Sequence, residues 1–171
     1  MTIHLVELSV NAMQALLSGD LAGASATAGV RLTDYFIGEG SIWLWRIRVD
    51  QIRRDPASAT WVARAVVDEE TGLVIGHAGF HGPPDAEGMV EVGYSVDPRY
   101  RRRGHAREML AALIDRARTE PQVRTVRASI SPDNAASLAT VARFGFSQTG
   151  EQWDDEEGLE LIFELPLAAA G

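Results

Sequence analysis

Two residue types are absent from the sequence, and each absence narrows the available chemistry. The chain has no cysteine, which excludes a disulfide framework, a thiolate zinc site and a cysteine nucleophile. It also has no lysine, so all 16 basic side chains are arginine. Without lysine the chain can form neither a catalytic Schiff base nor a Walker-type phosphate site.

Long apolar runs and an N-terminal targeting pattern are missing as well. No stretch approaches the about 18 apolar residues that a membrane span needs, and residues 1–10 lack a basic region followed by an apolar core. The net charge of −8 argues against a nucleic-acid-binding protein, because binding to nucleic acid phosphates depends on clustered cations. We therefore expect a cytoplasmic protein that binds neither nucleic acid nor membrane.

Composition and hydrophobic periodicity indicate one soluble domain with a central sheet. The chain has 171 residues, of which 46% are hydrophobic and 23% charged. The pattern predicts strands over residues 3–8, 59–68, 73–81, 89–96, 123–130, 146–153 and 158–165. It predicts helices through residues 13–17 and over 42–54, 104–119 and 134–144, with loops around a short helical piece over 20–40. This order is typical of an α+β (mixed α/β) layer fold.

The segment over residues 91–107 carries the clearest chemical signal. A strand ends, a short loop follows, and a helix begins at Gly104. The free N–H groups of a first helical turn, together with the helix dipole, form an anion site, and the small Gly104 and Ala106 allow close approach. Positive charge is supplied by Arg101, Arg102, Arg103 and Arg107. The segment therefore predicts a bound diphosphate; the alternative is an arginine-rich helix start that is solvated or contacts an acidic patch.

Three motifs in this order resemble the GNAT acetyltransferases. Arg101-x-x-Gly104-x-Ala106 is similar to their pyrophosphate-binding signature, Q/R-x-x-G-x-G/A. The Glu91–Tyr94 motif (Glu-Val-Gly-Tyr) and Asn134-Ala-Ala-Ser137, followed by Phe-Gly-Phe at 144–146, resemble the RimJ/RimL-like branch, the ribosomal-protein-alanine N-acetyltransferases. The resemblance covers residues 59–165 well and residues 1–58 only in outline.

The resemblance implies a fold and a division of the chain. We expect a mostly antiparallel sheet of about seven strands, splayed between the fourth and fifth, with helices on both faces. Residues 1–171 would form a single acetyltransferase domain. Within it, residues 1–58 supply the first strand and the acceptor-side helices, 59–165 form the cofactor-binding core, and 166–171 are a tail.

The resemblance also implies acetyl-CoA as cosubstrate, no metal, and a set of cofactor-binding residues. That set is Ser95, Val96, Arg101, Arg102, Arg103, Gly104, His105, Ala106, Arg107, Asn134 and Ser137. The Ser95 and Val96 backbone would lie beside the acetyl group and hold the developing oxyanion. Asn134 would contact the pantetheine arm, and Ser137 would be the general acid for the leaving thiolate. The simpler reading is that Asp133 or Asn134 is a helix N-cap and Ser137 faces solvent.

An amine acceptor must lose a proton before it attacks, so a base is expected. Strand alternation puts Glu91, Gly93 and Ser95 on one face, which favours Glu91 as base, directly or through water. The alternative is a glutamate held in a salt bridge. His77 and His81 share a face of the neighbouring strand; they either relay a proton or serve as a packed residue and a turn residue, respectively.

The predicted function is acetyl transfer to a primary amine by direct attack in a ternary complex. The resemblance favours a protein N-terminal amine, with an antibiotic, polyamine or metabolite amine as the alternative. A non-catalytic CoA-binding or sensing domain and a nucleic-acid binder using residues 99–107 are the rivals from other classes. The acidic run at residues 154–157 is either solvated hairpin surface or an attractor of a cationic amine. The oligomeric state stays open, with a homodimer as one option.

Overall fold

A computed structural model of the chain, which describes residues 2–168, contains one sheet of seven strands. They are β1 (Ile3–Glu7), β2 (Arg64–Asp68), β3 (Val74–Phe80), β4 (Met89–Val96), β5 (Thr125–Ile130), β6 (Ser147–Asp154) and β7 (Gly158–Pro166). The spatial order is β1-β2-β3-β4-β5-β7-β6, and β4 and β5 are the one parallel pair of neighbours in the described sheet. The expected mixed α/β fold with a mostly antiparallel sheet of about seven strands is confirmed.

Five helices cover the two faces of the described sheet. They are α1 (Val10–Leu17), α2 (Leu21–Ala28), α3 (Glu39–Arg54), α4 (His105–Thr119) and α5 (Ala135–Ala142). Residues on β3 alternate between the faces: His77 contacts Trp45 of α3, whereas Phe80 lies under Arg116 of α4. The helices therefore stand on both sides of β3 and β4, as expected.

Two stretches differ from the sequence prediction. Residues 20–40 hold the regular helix α2, which Asp20 caps by accepting the Gly23 N–H at 2.9 Å, and a 3-10 turn over Asp34–Ile37. The periodicity was weak because the helix is built from small residues, of which only Ala24 is buried. The predicted strand over 59–68 begins only at Arg64, because a 3-10 turn over Pro56–Thr60 precedes it.

The sheet opens between β4 and β5. The two strands pair only over Met89–Glu91 and Thr125–Arg127. Beyond that point β4 continues alongside β3 to Val96, and β5 continues alongside β7 to Ile130. The predicted splay between the fourth and fifth strands is thus present, and it leaves a gap lined by strand edges with free main-chain groups.

Helix α3 presents its two tryptophans differently, as the i, i+2 spacing predicts. Trp45 is fully buried and donates its indole N–H to the Phe36 carbonyl at 2.8 Å. Trp43 is 45% exposed and faces a cavity described below. Among the helices of residues 2–168, none has the length and apolar character of a membrane span.

Candidate functional site

The start of α4 leaves the first N–H groups of the helix without intrahelical partners. Helix α4 has Gly104 as its N-cap, with φ at 84°, and Arg102 also has a positive φ of 61°. No side chain caps this terminus, and its first intrahelical bond runs from Glu108 N–H to the Gly104 carbonyl at 3.2 Å. The preceding N–H groups are therefore directed out of the helix, as in other phosphate-binding turns.

Gly104 keeps the space in front of these donors open. A Cβ placed on Gly104 would find no atom within 4 Å, so a ligand can approach the backbone there. A positive φ is also the conformation that glycine adopts without steric cost. The residues present therefore fit a diphosphate, and the fit comes from the backbone.

The neighbouring arginines have different tasks. Arg101 donates its Nε–H to the Val96 carbonyl at 3.0 Å, which fixes the loop to the end of β4. Arg103 lies over the Tyr100 ring, with its guanidinium carbon 5.8 Å from the centroid. Arg99, by contrast, is held by Asp97 and Asp34, so its charge is already neutralised.

A cavity of about 660 Å³ runs from this helix start toward the splayed strands. Ten of the eleven predicted cofactor residues line it, and Arg103 does not. Its lining also includes residues that the sequence reasoning missed: Tyr94, Tyr100, Ala136, Ala139, Thr140 and Arg143. The last four recur at helical spacing along α5 and its C-terminal end, a signal that was available in the sequence.

Three of the predicted cofactor residues, His105, Asn134 and Ser137, differ in their burial and hydrogen bonds. The His105 side chain is buried, and its Nδ1 has no hydrogen-bond partner among the described residues. Asn134 caps α5 by accepting the Ser137 N–H through Oδ1 at 3.1 Å. Its amide nitrogen is then the group that can reach a ligand. Burial raises the pKa of Tyr94, and a hydrogen bond with Ser137 opposes that shift.

A second cavity, of about 730 Å³, meets the first at Tyr94, Asn134 and Ser137. Its inner wall includes Glu91 and His81. Five carboxylates also line it and form its acidic rim: Asp154, Asp155, Glu156, Glu157 and Glu160. Trp43 and Ile47 of α3 line the same cavity. The two cavities thus join at the splay, and they differ in the charge of their walls.

The acidic rim is a tight and ordered turn between β6 and β7. Asp154 Oδ1 accepts the N–H groups of Glu156 and Glu157, each at 2.8 Å. These two hydrogen bonds lower the pKa of Asp154 below its usual value. The carboxylates of this turn are therefore presented together at the cavity mouth.

Glu91 is bound through both carboxylate oxygens. Oε2 accepts from His81 Nδ1 at 2.7 Å, and Oε1 accepts from Ser129 Oγ at 3.2 Å. Burial works to raise the Glu91 pKa, but the hydrogen bond and charge of His81, the Ser129 bond and the charge of Arg127 together hold it below the usual value. Glu91 is therefore an ionised and engaged carboxylate.

The two candidate relay histidines are placed very differently. His77 is buried among the rings of Tyr35, Phe36 and Trp45, and burial lowers its pKa to about 4. Its Nε2 lies 3.3 Å from Ser41 Oγ, away from both larger cavities. His81 follows β3, is about half exposed, and contacts Glu91. Tyr35 is another residue that the sequence did not indicate. Its hydroxyl shares a hydrogen bond with Ser95 Oγ.

Comparison with known proteins identifies the family. Residues 30–147, more than half of the chain, match the acetyltransferase (GNAT) domain. The chain belongs to the GNAT acetyltransferase family. YjdG of Bacillus subtilis, an uncharacterized N-acetyltransferase, is 31% identical to this GNAT chain over 87 residues, or 51% of the chain and 50% of YjdG. The chain thus spans about half the length of the curated relatives it matches.

Solved structures share this GNAT fold at low sequence identity. RimL, a ribosomal L7/L12 α-N-protein acetyltransferase, has a TM-score of 0.68 at 14% identity over 99% of this chain and 96% of its own. A SpeG spermidine N-acetyltransferase chimera of Vibrio cholerae and hSSAT has a TM-score of 0.67 at 13% identity, over 97% of this chain and 96% of its own. The Sinorhizobium meliloti phosphinothricin acetyltransferase, solved with AcCoA, has a TM-score of 0.63 at 20% identity, over 98% of this chain and 90% of its own. Within residues 2–168 no cluster of acidic or histidine side chains is arranged to hold a metal ion.

Proposed function

We propose that this GNAT protein transfers an acetyl group from acetyl-CoA to a primary amine within a ternary complex. The observation that carries the proposal is the junction of two cavities at the splay. One leads to the open helix start at Gly104, and the other is rimmed by carboxylates. A diphosphate suits the first cavity and a cationic amine suits the second. The acetyl group would pass from the sulfur of CoA to the acceptor nitrogen where the two cavities meet.

The predicted cofactor residues that line the first cavity divide between the diphosphate, the thioester and the pantetheine arm. The N–H groups of His105, Ala106 and Arg107 would bind the diphosphate, and Arg101 and Arg102 would add positive charge. The backbone of Ser95 and Val96, at the end of β4, would polarise the thioester carbonyl. Asn134 would orient the pantetheine arm.

Ser137 would give a proton to the departing sulfur. Its position where both cavities meet supports this role. The hydrogen bond that it shares with Tyr94 offers a route by which the proton is replaced.

We further propose a protein N-terminal amine as the acceptor, within the RimJ/RimL-like branch. Similarity in fold to RimL supports this assignment, together with the Glu91–Tyr94 and Asn134–Ser137 motifs. A polyamine is the second candidate, because the carboxylates of the rim would attract an acceptor with several positive charges. Thiol release measured with N-terminal peptides, polyamines and aminoglycosides separates these classes.

The cofactor site is tested with Gly104→Ala and its matched control Gly72→Ala. Both glycines have a positive φ and open space around the added Cβ, so the two changes bring similar backbone strain. Only Gly104 faces the proposed diphosphate. We expect Gly104→Ala to raise the acetyl-CoA Kd about tenfold or more, since a hydrogen bond to a charged group contributes about 1.5–3 kcal/mol. Calorimetry should give an unchanged Kd for Gly72→Ala.

Three results would point elsewhere. An unmodified, folded protein that gives no heat with acetyl-CoA contradicts the whole proposal. Tight cofactor binding without thiol release for any amine favours a CoA-sensing domain. Binding of a fluorescent oligonucleotide at moderate salt, without cofactor binding, favours the nucleic-acid reading of residues 99–107.

A further inference from the structure

We propose that His81, oriented by Glu91, is the base that takes the proton from the acceptor amine, and that Glu91 is its positioning residue. This inference rests on the proposed acetyl transfer and names the group that makes the amine nucleophilic. It moves the base from the carboxylate, where the sequence alone put it, to the imidazole next to it.

The imidazole is held in one orientation by its contacts. Nδ1 lies 2.7 Å from Glu91 Oε2, so this nitrogen donates its proton to the carboxylate. Ser129 binds the other oxygen of Glu91 at 3.2 Å and thereby fixes the carboxylate plane. The neutral ring is therefore in the Nδ1–H tautomer, which leaves the Nε2 lone pair free to accept a proton.

The backbone of His81 is fixed as firmly as its ring. Its N–H donates to the Glu91 carbonyl at 2.8 Å, which extends the β3–β4 ladder by one step. Its own carbonyl accepts from Gln51 Nε2 at 2.6 Å and from Arg48 at 3.3 Å, both on α3. The ring thus sits on rigid elements although it follows the end of β3.

Gly93 creates the space that the ring occupies. A Cβ on Gly93 would lie 3.0 Å from His81 Nε2, so the ring extends over β4 at the one position without a side chain. Gly93 is two residues before Ser95, whose backbone is proposed to lie beside the acetyl group. His81 and Gly93 both line the acidic cavity. The free Nε2 is therefore on the acceptor side of the junction.

Glu91 itself is poorly suited to be the first proton acceptor. Both oxygens are engaged, and His81, Ser129 and Arg127 outweigh burial and keep its pKa low. The charge of Arg48 on α3 also acts on Glu91, and the carboxylates of residues 154–157 and Glu160 line the same cavity. An ionised Glu91 instead stabilises the imidazolium that forms when His81 takes a proton, as a buried carboxylate does in other acid–base pairs.

The step balances without any further reactant. The acceptor ammonium gives one proton to His81 Nε2, and the nitrogen lone pair forms a C–N bond with the thioester carbonyl carbon. The C–S bond breaks, and the sulfur leaves with its bonding electrons and takes a proton from Ser137. The second proton lost from nitrogen restores that of Ser137 through solvent, and His81 returns its proton to solvent.

Steady-state kinetics of His81→Gln test the proposal, with a variant of the exposed His4–Glu69 pair as the control. Loss of a general base costs about 10²–10⁴-fold, so we expect kcat to fall by about that factor at pH 7 while the KM for acetyl-CoA is unchanged. The deficit should shrink as the pH approaches the amine pKa, and added imidazole should restore part of the rate of His81→Ala. The control is His4→Gln: His4 pairs with Glu69 at 3.6 Å on the outer strand, and its loss should leave the rate unchanged.

An NMR measurement tests the pair without turnover. Imidazole ¹⁵N shifts should show the Nδ1–H tautomer for neutral His81, and Glu91→Ala should mix the tautomers. The Nε2–H tautomer in the unmodified protein, or full activity of His81→Gln, overturns the proposal. If no amine is acetylated, the proposed function fails and the base role of His81 fails with it, whichever tautomer is found. If amines are acetylated but neutral His81 is the Nε2–H tautomer, only this inference fails.

Discussion

The three histidines near the centre of the chain show how surroundings decide the chemistry of one residue type. His77 is enclosed by three aromatic rings, and burial lowers its pKa to about 4, so it is neutral at pH 7. His81 has one ring nitrogen on the Glu91 carboxylate and the other above the side-chain-free backbone of Gly93. His105 is buried at the start of α4, and its Nδ1 has no hydrogen-bond partner among the described residues. Of these three histidines, His81 alone lines the acidic cavity that is proposed to hold the acceptor.

The burial of His77 predicts a pH-dependent stability. A histidine in the unfolded chain has a pKa of about 6.5, so between pH 6.5 and 4 the unfolded state binds a proton that the folded state does not. The contribution of neutral His77 to the free energy of unfolding is therefore complete above about pH 6.5. It is lost, by up to about 3 kcal/mol, as the pH falls to 4. Urea unfolding of the unmodified protein and of His77→Gln should therefore converge in stability over this window. Parallel pH profiles for the two proteins would contradict the assignment.

At the scale of elements, the β6–β7 hairpin supplies the acidic rim. Asp154 binds the backbone of its own turn, whereas Asp155, Glu156 and Glu157 are exposed. Neutralising those three to Asn, Gln and Gln leaves the turn intact. We expect the KM for a polycationic acceptor to rise severalfold and to lose much of its salt dependence, because exposed charges act through a screened field.

The control for the rim carries the same charge change elsewhere. Glu7→Gln, Glu69→Gln and Asp115→Asn alter exposed carboxylates that line neither large cavity. This variant should keep both the KM and its salt dependence. If the rim variant and the control behave alike, the rim is solvated hairpin surface, the alternative that the sequence left open.

The elements also show where sequence information ends. Strand β4 was predicted at both ends because alternation of side chains and Asp97-Pro98 are local signals. Helix α2 lacked an apolar stripe, and residues 61–63 are buried although strand β2 begins only at Arg64, so periodicity alone gave the wrong assignment in both places. The helix start at Gly104 could be recognised because an anion site of this kind is local. The contact between His81 and Glu91 depends on strand pairing, and that register is not encoded in either segment alone.

At the scale of the whole molecule, the N-terminal elements are tied to the end of β4. Thr33 donates to Asp97 at 3.3 Å, Arg99 binds Asp34 at 2.7 Å, and the Tyr35 hydroxyl bonds Ser95. The segment before α3 therefore supports the strand end that is proposed to hold the acetyl group. Despite a net charge of −8, the chain places cations at one end of the joined cavities and anions at the other.

Binding of acetyl-CoA at the cationic end of the joined cavities should raise the global stability of the folded chain. A ligand that binds only the folded state adds RT ln(1 + [L]/Kd), about 2.7 kcal/mol at one hundred times Kd. For a chain of this size each kcal/mol raises Tm by about 2–4 °C, so acetyl-CoA should raise Tm by roughly 5–11 °C. Thermal unfolding should show this rise for the rim variant and for Gly72→Ala, and about half of it or less for Gly104→Ala, whose Kd is expected to be at least tenfold higher. Because the diphosphate is held by exposed cations as well as by backbone N–H groups, high salt should reduce the rise without removing it. A rise that salt abolishes would mean that the arginines, rather than the helix start, hold the cofactor.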